Sequence, residues 1–388
     1  MSERDYDLVV FGATGFTGRL VAEYLNGKPK KWAIAGRNRD KLAALGLDVP
    51  IEIVDALDHD SCARIASRTK VVCTTVGPYA KFGSPLVAAC AEAGTHYCDL
   101  TGEVQWMREM IDLHDARAKA TGARIVHTCG FDSIPSDLGA WATQQEFVRR
   151  FGHPAHEVTA HYTDVTGGFS GGTIASMFGM AEAMGDPEVR RVMRDPYSLD
   201  PDRNGQPKVN DASVGWSRDL RRVTVPFIMA QINARVVRRA HALAGRPWGE
   251  DFTYREVMAP RSAATAAVVL AGMAGLAAAM KRPRLRAMLQ RRVPQPGDGP
   301  SPERRARGHW KVRFIARAGN EKLEYVVADA HGDPGYASTS RMLGESALCL
   351  AYDPLTTSGG VLTPSVAMNG ALLARLRAVG LTFAPAES

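Results

Sequence analysis

Three stretches of the chain combine residue types that could do chemistry. The first is Gly12-Ala13-Thr14-Gly15-Phe16-Thr17-Gly18, with glycine at every third position between the apolar run Val9-Val10-Phe11 and a helical pattern. Such a turn brings backbone against a diphosphate. A Cβ at Gly12 or Gly15 would block that approach, Gly18 lets helix and strand come close, and the helix start offers N–H donors and the positive end of its dipole. Thr14, Phe16 and Thr17 complete the candidate cradle. The spacing departs from Gly-x-Gly-x-x-Gly, and a bare strand–helix turn would use the same glycines. The coincidence of strand, glycines and helix favours a dinucleotide.

Which dinucleotide is read about 20 residues further on, where an acid would take a ribose hydroxyl and a cation a 2′-phosphate. The chain has Ala35-Gly36-Arg37-Asn38-Arg39 there, with no acid at the strand end. Arg37, helped by Arg39, suits phosphate oxygens, which points to NADP(H); a solvated basic turn before the next helix is the plainer alternative. Asp55, closing Ile51-Glu52-Ile53-Val54-Asp55, could take an adenine amine or cap a helix.

The other two stretches follow the fourth and sixth expected strands and should open onto the cofactor crevice. Val76-Gly77-Pro78-Tyr79 would pass beside the cofactor, with Tyr79 as proton donor or ligand holder, or as a packing residue stiffened by Pro78. Cys129-Gly130-Phe131-Asp132-Ser133 places Asp132 and Ser133 where they could orient a nicotinamide amide or cap the next helix. A further glycine-rich stretch, Gly167–Thr173, could cradle a thioester or phosphopantetheine oxygen, or simply start a helix. Tyr24 and Lys28 have the Tyr-x-x-x-Lys spacing of short-chain dehydrogenases but stand on the wrong side of the glycine turn. His153, His156 and His161 lack a cysteine or paired carboxylate, so no metal site is expected.

The elements that must position these residues are legible. Strands are expected at 7–11, 32–35, 51–54, 71–74, 96–98 and 124–127, separated by helical segments, which is the pattern of a doubly wound, Rossmann-type parallel sheet. The domains expected are an NADP-binding one over residues 1–132 and a mixed α/β one over 133–388, for substrate or dimerisation. Its last helices, roughly 338–352 and 363–379, could pack back on the first domain. A hairpin is expected from 311–316 and 322–328 around Gly319-Asn320, and loops at 195–211 and 294–308.

The 388 residues carry a formal charge of +7, with 45% hydrophobic and 23% charged residues, the profile of a globular chain. The basicity is local: twelve Lys and Arg against Asp298 and Glu303 lie between Lys281 and Arg317, and the remainder is slightly acidic. No nucleic-acid motif accompanies that segment, so nucleic acid is discounted. Six cysteines without a Cys-x-x-Cys pair, and no leader, indicate a reduced cytoplasmic setting. Ser262–Met280 is uncharged, but nine of its residues are Ala. A buried helix at a domain or subunit interface is the first expectation. The alternatives are a transmembrane span and a peripheral membrane contact in which Leu270, Met273, Leu276 and Met280 enter lipid beside basic residues 281–292.

The same stretches carry a family resemblance. Val76-Gly77-Pro78-Tyr79 with Phe82-Gly83, Ala89 through Asp99 with Gly102-Glu103, and Gly130 through Asp137 resemble the saccharopine dehydrogenase-like oxidoreductases. Asp333-Pro334-Gly335-Tyr336, Glu345–Leu350 and Gly359–Met368 resemble the bacterial branch that includes trans-acting enoyl reductases. The resemblance implies NADPH-dependent saturation of enoyl groups on lipid-like or polyketide chains, carrier-bound on a polyketide synthase partner. It also places the Asp132 loop by the nicotinamide. Other members reduce an imine in lysine metabolism, which leaves a saccharopine-like amino-acid or imine dehydrogenase as alternative. A non-catalytic nucleotide-binding protein at lipid surfaces is the alternative of another class.

Overall fold

A computed structural model describes residues 4–166, 178–180, 182–202, 206–290 and 299–386. Gly167–Thr173 lies outside the described residues, as do 291–298 of the basic segment.

The first sheet is all parallel. Its strands are β1 (Tyr6–Phe11), β2 (Trp32–Gly36), β3 (Ile51–Ile53), β4 (Thr69–Thr74), β5 (His96–Cys98), β6 (Arg124–Val126) and β13 (Gly360–Leu362). Their order is β13-β6-β5-β4-β1-β2-β3. Val9, Val10, Ala33, Ile34, Val71 and Val72 are fully buried because helices cover both faces, which is why these strands read as continuous apolar runs. The order turns at β1, between β4 and β2, and at such a switch point the carboxyl ends of the strands open a crevice.

The second sheet is mixed, ordered β14-β12-β11-β7-β10-β9-β8. It comprises β7 (Glu157–Thr166), β8 (Gly215–Ser217), β9 (Arg222–Pro226), β10 (Thr253–Met258), β11 (His309–Ala318), β12 (Glu321–Asp329) and β14 (Thr382–Pro385). The β11–β12 hairpin turns at Gly319, whose φ of 56° suits a residue without a side chain. The helix Ile134–Phe151 packs on this sheet: Phe314 lies so close to Gly139 that a Cβ there would be 2.6 Å from the ring.

The chain returns to the first sheet late. After β12 a π-helical turn, Pro334–Ser338, leads into the helix Thr339–Tyr352, which packs on the helix Phe16–Leu25 and on β4 and β5. Tyr24 Oη donates to Glu345 at 2.6 Å and the Lys28 ammonium sits over the Tyr24 ring, so this pair ties the two helices together. The helix Pro364–Ala378 is interrupted at Asn369, where φ is 30° and ψ −120°.

The apolar helix Ala263–Met280 does not meet the domain-interface half of the first expectation. It is not buried within the chain: Ala266 alone among its residues is, and Val268 is 72% exposed. Its mean hydropathy is 1.9, and it is the one helix among the described residues long and apolar enough to cross a membrane. The residues expected to enter lipid also turn elsewhere, since Met273, Leu276 and Met280 line an internal cleft. The reason is periodicity: positions 273, 276, 277 and 280 share one helix face, which leaves Ala267, Val268, Ala271 and Ala274 outward.

Candidate active site

The cleft, of about 1090 Å³, opens beyond the carboxyl ends of the first sheet's strands. One side is built by residues just beyond the strands of the first sheet: Gly12 after β1, Arg37 after β2, Asp55 after β3, Val76 after β4, Leu100 after β5 and Asp132 after β6. The other side is apolar and includes six methionines, Met180, Met184, Met193, Met229, Met273 and Met280, with Ile228 and Ile232. Methionine spacing gave no sequence signal, because these residues come from four separate segments.

The glycine turn divides into structural and ligand-facing positions. Gly12 has φ 92°, and a Cβ there would meet Val76 Cγ2 at 2.7 Å. A Cβ at Gly18 would fall 2.1 Å from Gly12 O. At Gly15 the nearest atom would be Gly12 O at 3.4 Å, an ordinary contact, so the protein itself does not require glycine there. Gly15 lines the cleft and precedes the helix Phe16–Leu25, whose start has no side-chain cap. Uncapped N–H groups at an open helix start, beside a position kept clear of side chain, fit a dinucleotide diphosphate. Thr14, Phe16, Thr17 and Gly18 line the same cleft. Phe16 is held edge-on against Tyr336, with ring centroids 4.7 Å apart.

Just beyond β2 the cleft is lined by Arg37 and Lys41, not by Arg39. Arg39 opens the helix Arg39–Ala43 and points into solvent. Asn38 Oδ1 accepts the Lys41 N–H at 2.9 Å, and this cap turns the helix so that its third residue faces the site. Asp55 lines the cleft, and its Oδ1 accepts the Leu57 N–H at 3.1 Å.

Val76, Gly77, Pro78 and Tyr79 all line the cleft, and Glu103 holds their loop by accepting the N–H groups of Tyr79 and Ala80, each at 2.9 Å. Tyr79 is 4% exposed and its ring stacks on Trp106. Its hydroxyl donates to Thr74 O at 3.2 Å and accepts the Leu100 N–H at 3.4 Å, and burial raises its pKa well above the ordinary phenol value. A hydroxyl so engaged is a brace between two strand ends.

Asp132 stands in the cleft wall. Loss of hydration pushes its carboxyl up to about 7, with nearby Asp99 acting in the same direction. Ser133 does not reach the cleft: it is fully buried, and its Oγ donates to Asn233 Oδ1 at 3.1 Å. Asn233 donates in turn to Glu256 at 3.0 Å, and Tyr254 Oη to the same carboxylate at 2.7 Å. Ser133 therefore anchors the Asp132 loop from behind. His153 pairs with Glu321 and His156 with Asp251, and no cluster of three metal-binding side chains gathers among the described residues. All six cysteines are free and buried.

A crevice at the switch point of a doubly wound sheet, an open helix start and two cations at the second strand define an NADP-dependent oxidoreductase. Residues 8–126 match the saccharopine dehydrogenase NADP binding domain family. The fold is similar to that of apo saccharopine dehydrogenase (L-Glu forming) from Saccharomyces cerevisiae, with a TM-score of 0.56 at 13% identity over 98% of this chain and 99% of that one. The chain is 39% identical to the trans-acting enoyl reductase of Mycobacterium ulcerans over 98% of its length and 97% of that protein's. It is 43% identical, at the same coverage, to a Mycobacterium tuberculosis protein provisionally named a trans-acting enoyl reductase. The chain belongs to the trans-acting enoyl reductase family.

Proposed function

We propose that this protein reduces the enoyl group of a lipid-like or polyketide acyl chain presented as a thioester by a separate synthase. The observation that carries this reading is the methionine-lined wall facing the cofactor turn. Unbranched, polarisable methionine side chains adapt to a flexible apolar chain, and Gln231 and Arg194 are the polar side chains set among them. Among the described residues, the cations lining the cleft are Arg37 and Lys41 at the cofactor end and Arg194 near the apolar wall. An amino-acid dehydrogenase would need several cations there to hold its carboxylates.

When bound, NADPH supplies a hydride, here to the β-carbon of the enoyl thioester. The chain's own residues then have four tasks. Gly15 and the open helix start hold the diphosphate, and Arg37 with Lys41 hold the 2′-phosphate. The Met and Ile wall excludes water from the reacting carbons. Asp132, protonated up to about pH 7, stands at the wall to deliver a proton to the α-carbon. Tyr79 and Ser133 keep the two flanking loops in place and touch no reacting atom. Turnover of NADPH with an enoyl thioester, with the saturated thioester as product, tests the reading.

We also propose that this protein touches anionic membranes peripherally. The outward Ala and Val face of the helix Ala263–Met280 is followed by exposed Lys281, Arg282 and Arg284, a pairing suited to reversible surface contact. Sedimentation with anionic vesicles at low salt and release at high salt are expected. A protein that stays in the supernatant at low salt overturns this reading.

A further inference from the structure

The cleft is lined on one side by a cation, Arg194, that is unengaged among the described residues. Arg194 ends the helix Pro187–Arg194 and lines both the cleft and an adjoining open recess formed by Pro187, Arg190, Arg191 and Asp195. Its neighbours are committed. Arg191 pairs with Glu188, Arg190 donates to Met184 O at 2.9 Å and Gly185 O at 2.7 Å, and Asp195 Oδ1 accepts the Tyr197 N–H at 2.8 Å. Arg194 has neither an ion pair nor a hydrogen bond among the described residues.

The backbone that presents Arg194 is fixed from below. The helix Ala230–Leu243 sends three buried arginines into the segment that follows. Arg235 donates to Met193 O at 2.8 Å and Asp195 O at 3.1 Å, Arg238 to Pro196 O at 3.0 Å, and Arg239 to Leu199 O at 2.6 Å. Burial lowers the pKa of both Arg235 and Arg239 to about 10, so these guanidiniums are held at a cost in hydration and serve as props. Above them stands a free guanidinium on a rigid base, next to Met193 and within the same wall as Met180 and Met184. A guanidinium carried on a fixed backbone beside an apolar cleft suits a ligand with a phosphate on a long flexible stem.

We propose that Arg194 receives the phosphate of the phosphopantetheine arm on which the acyl chain is carried. This rests on the enoyl reductase reading and names the part of the substrate that reading leaves open. A lipid phosphate offers the same chemistry, so the test separates the two sources.

Calorimetry on the full chain with NADPH bound would compare 4′-phosphopantetheine, pantetheine and dihexanoyl phosphatidylglycerol. The expected result is a preference for 4′-phosphopantetheine over pantetheine of about tenfold or more, the scale of a charge-assisted hydrogen bond. Arg194→Gln removes that preference and Arg194→Lys keeps part of it. Equal affinities in the wild type, a preference that survives Arg194→Gln, or an Arg194 dependence seen only with the lipid would each overturn the proposal. Turnover of an enoyl N-acetylcysteamine thioester, which carries no phosphate, is read separately. Its absence would remove the reductase reading, while a phosphate preference lost in Arg194→Gln would still support the site.

Discussion

The carbonyl oxygen of Gly12 stands 2.1 Å from the point where a side chain on Gly18 would begin, whereas the same oxygen is 3.4 Å from that point on Gly15. The two glycines therefore serve different ends, one the packing of helix on strand and the other the ligand. Gly15→Val should keep the fold and its melting temperature while abolishing NADPH binding, and Gly18→Val should lose the fold. Circular dichroism with calorimetry checks both. Unchanged NADPH affinity in Gly15→Val would show that the turn holds no diphosphate.

Arg37 and Lys41 line the cofactor cleft and Arg39 does not. Removing Arg37 or Lys41 should weaken NADPH by about 1–3 kcal/mol and leave NADH nearly unchanged, since only the former has a 2′-phosphate. Arg39→Ala should change neither. Fluorescence titration with both cofactors distinguishes these outcomes, and equal losses for NADPH and NADH would detach the two cations from the 2′-phosphate.

Tyr79 and Asp132 should respond oppositely to conservative change. Tyr79→Phe leaves Thr74 O and the Leu100 N–H without their partner, so a loss of roughly 1–3 kcal/mol in stability is expected with kcat within a few-fold of wild type. Asp132→Asn should lower kcat by about 10²-fold or more. In the wild type, kcat/KM should fall as pH rises through about 7, where the Asp132 proton is lost, and that limb should vanish in Asp132→Asn. A hundredfold loss in Tyr79→Phe with a normal Asp132→Asn would exchange the two roles.

Asp137 lies under the helix Pro364–Ala378, where Ser365 donates to it through both N–H and Oγ at 2.7 Å, yet burial still pushes its carboxyl up to about 7. Glu256 is likewise pushed up to about 7 by burial. A carboxyl raised above its ordinary value near 4 makes the folded state the better proton binder between about pH 4 and 7, so its contribution to stability falls as pH rises through that window. His96 and His241, lowered by burial to about 4, act in the other direction below about 6.5. The carboxyl effect is isolated by difference: the melting temperature of Asp137→Asn relative to wild type should be more favourable at pH 8 than at pH 5. A difference independent of pH would show Asp137 ionised in the folded protein throughout.

The cofactor half was legible because each of its signals is local. Strand, glycine turn and helix follow one another within residues 6–25, and Arg37 sits at a fixed offset from them. Lys41 rather than Arg39 lines the cleft because the Asn38 cap sets the helix phase, and a cap weighs nothing in a count of charges. β13 escaped notice since Gly360-Val361-Leu362 is three residues long and becomes a strand only by pairing with β6. The methionine wall, with Arg194 beside it, gathers residues far apart in the chain, so no spacing announces it. Ser133 and Tyr79 have side chains suited to catalysis, and only their neighbours reveal the hydrogen bonds that engage both hydroxyls.

The central claim is tested most directly by mixing the protein with NADPH and a 2-enoyl phosphopantetheine thioester and following nicotinamide absorbance together with the mass of the acyl product. Oxidation of NADPH matched by a gain of two mass units in the acyl chain is the predicted result. No oxidation with the enoyl thioester, alongside NADPH oxidation with a 2-oxo acid and an amine, would contradict it and make the protein an imine-reducing dehydrogenase.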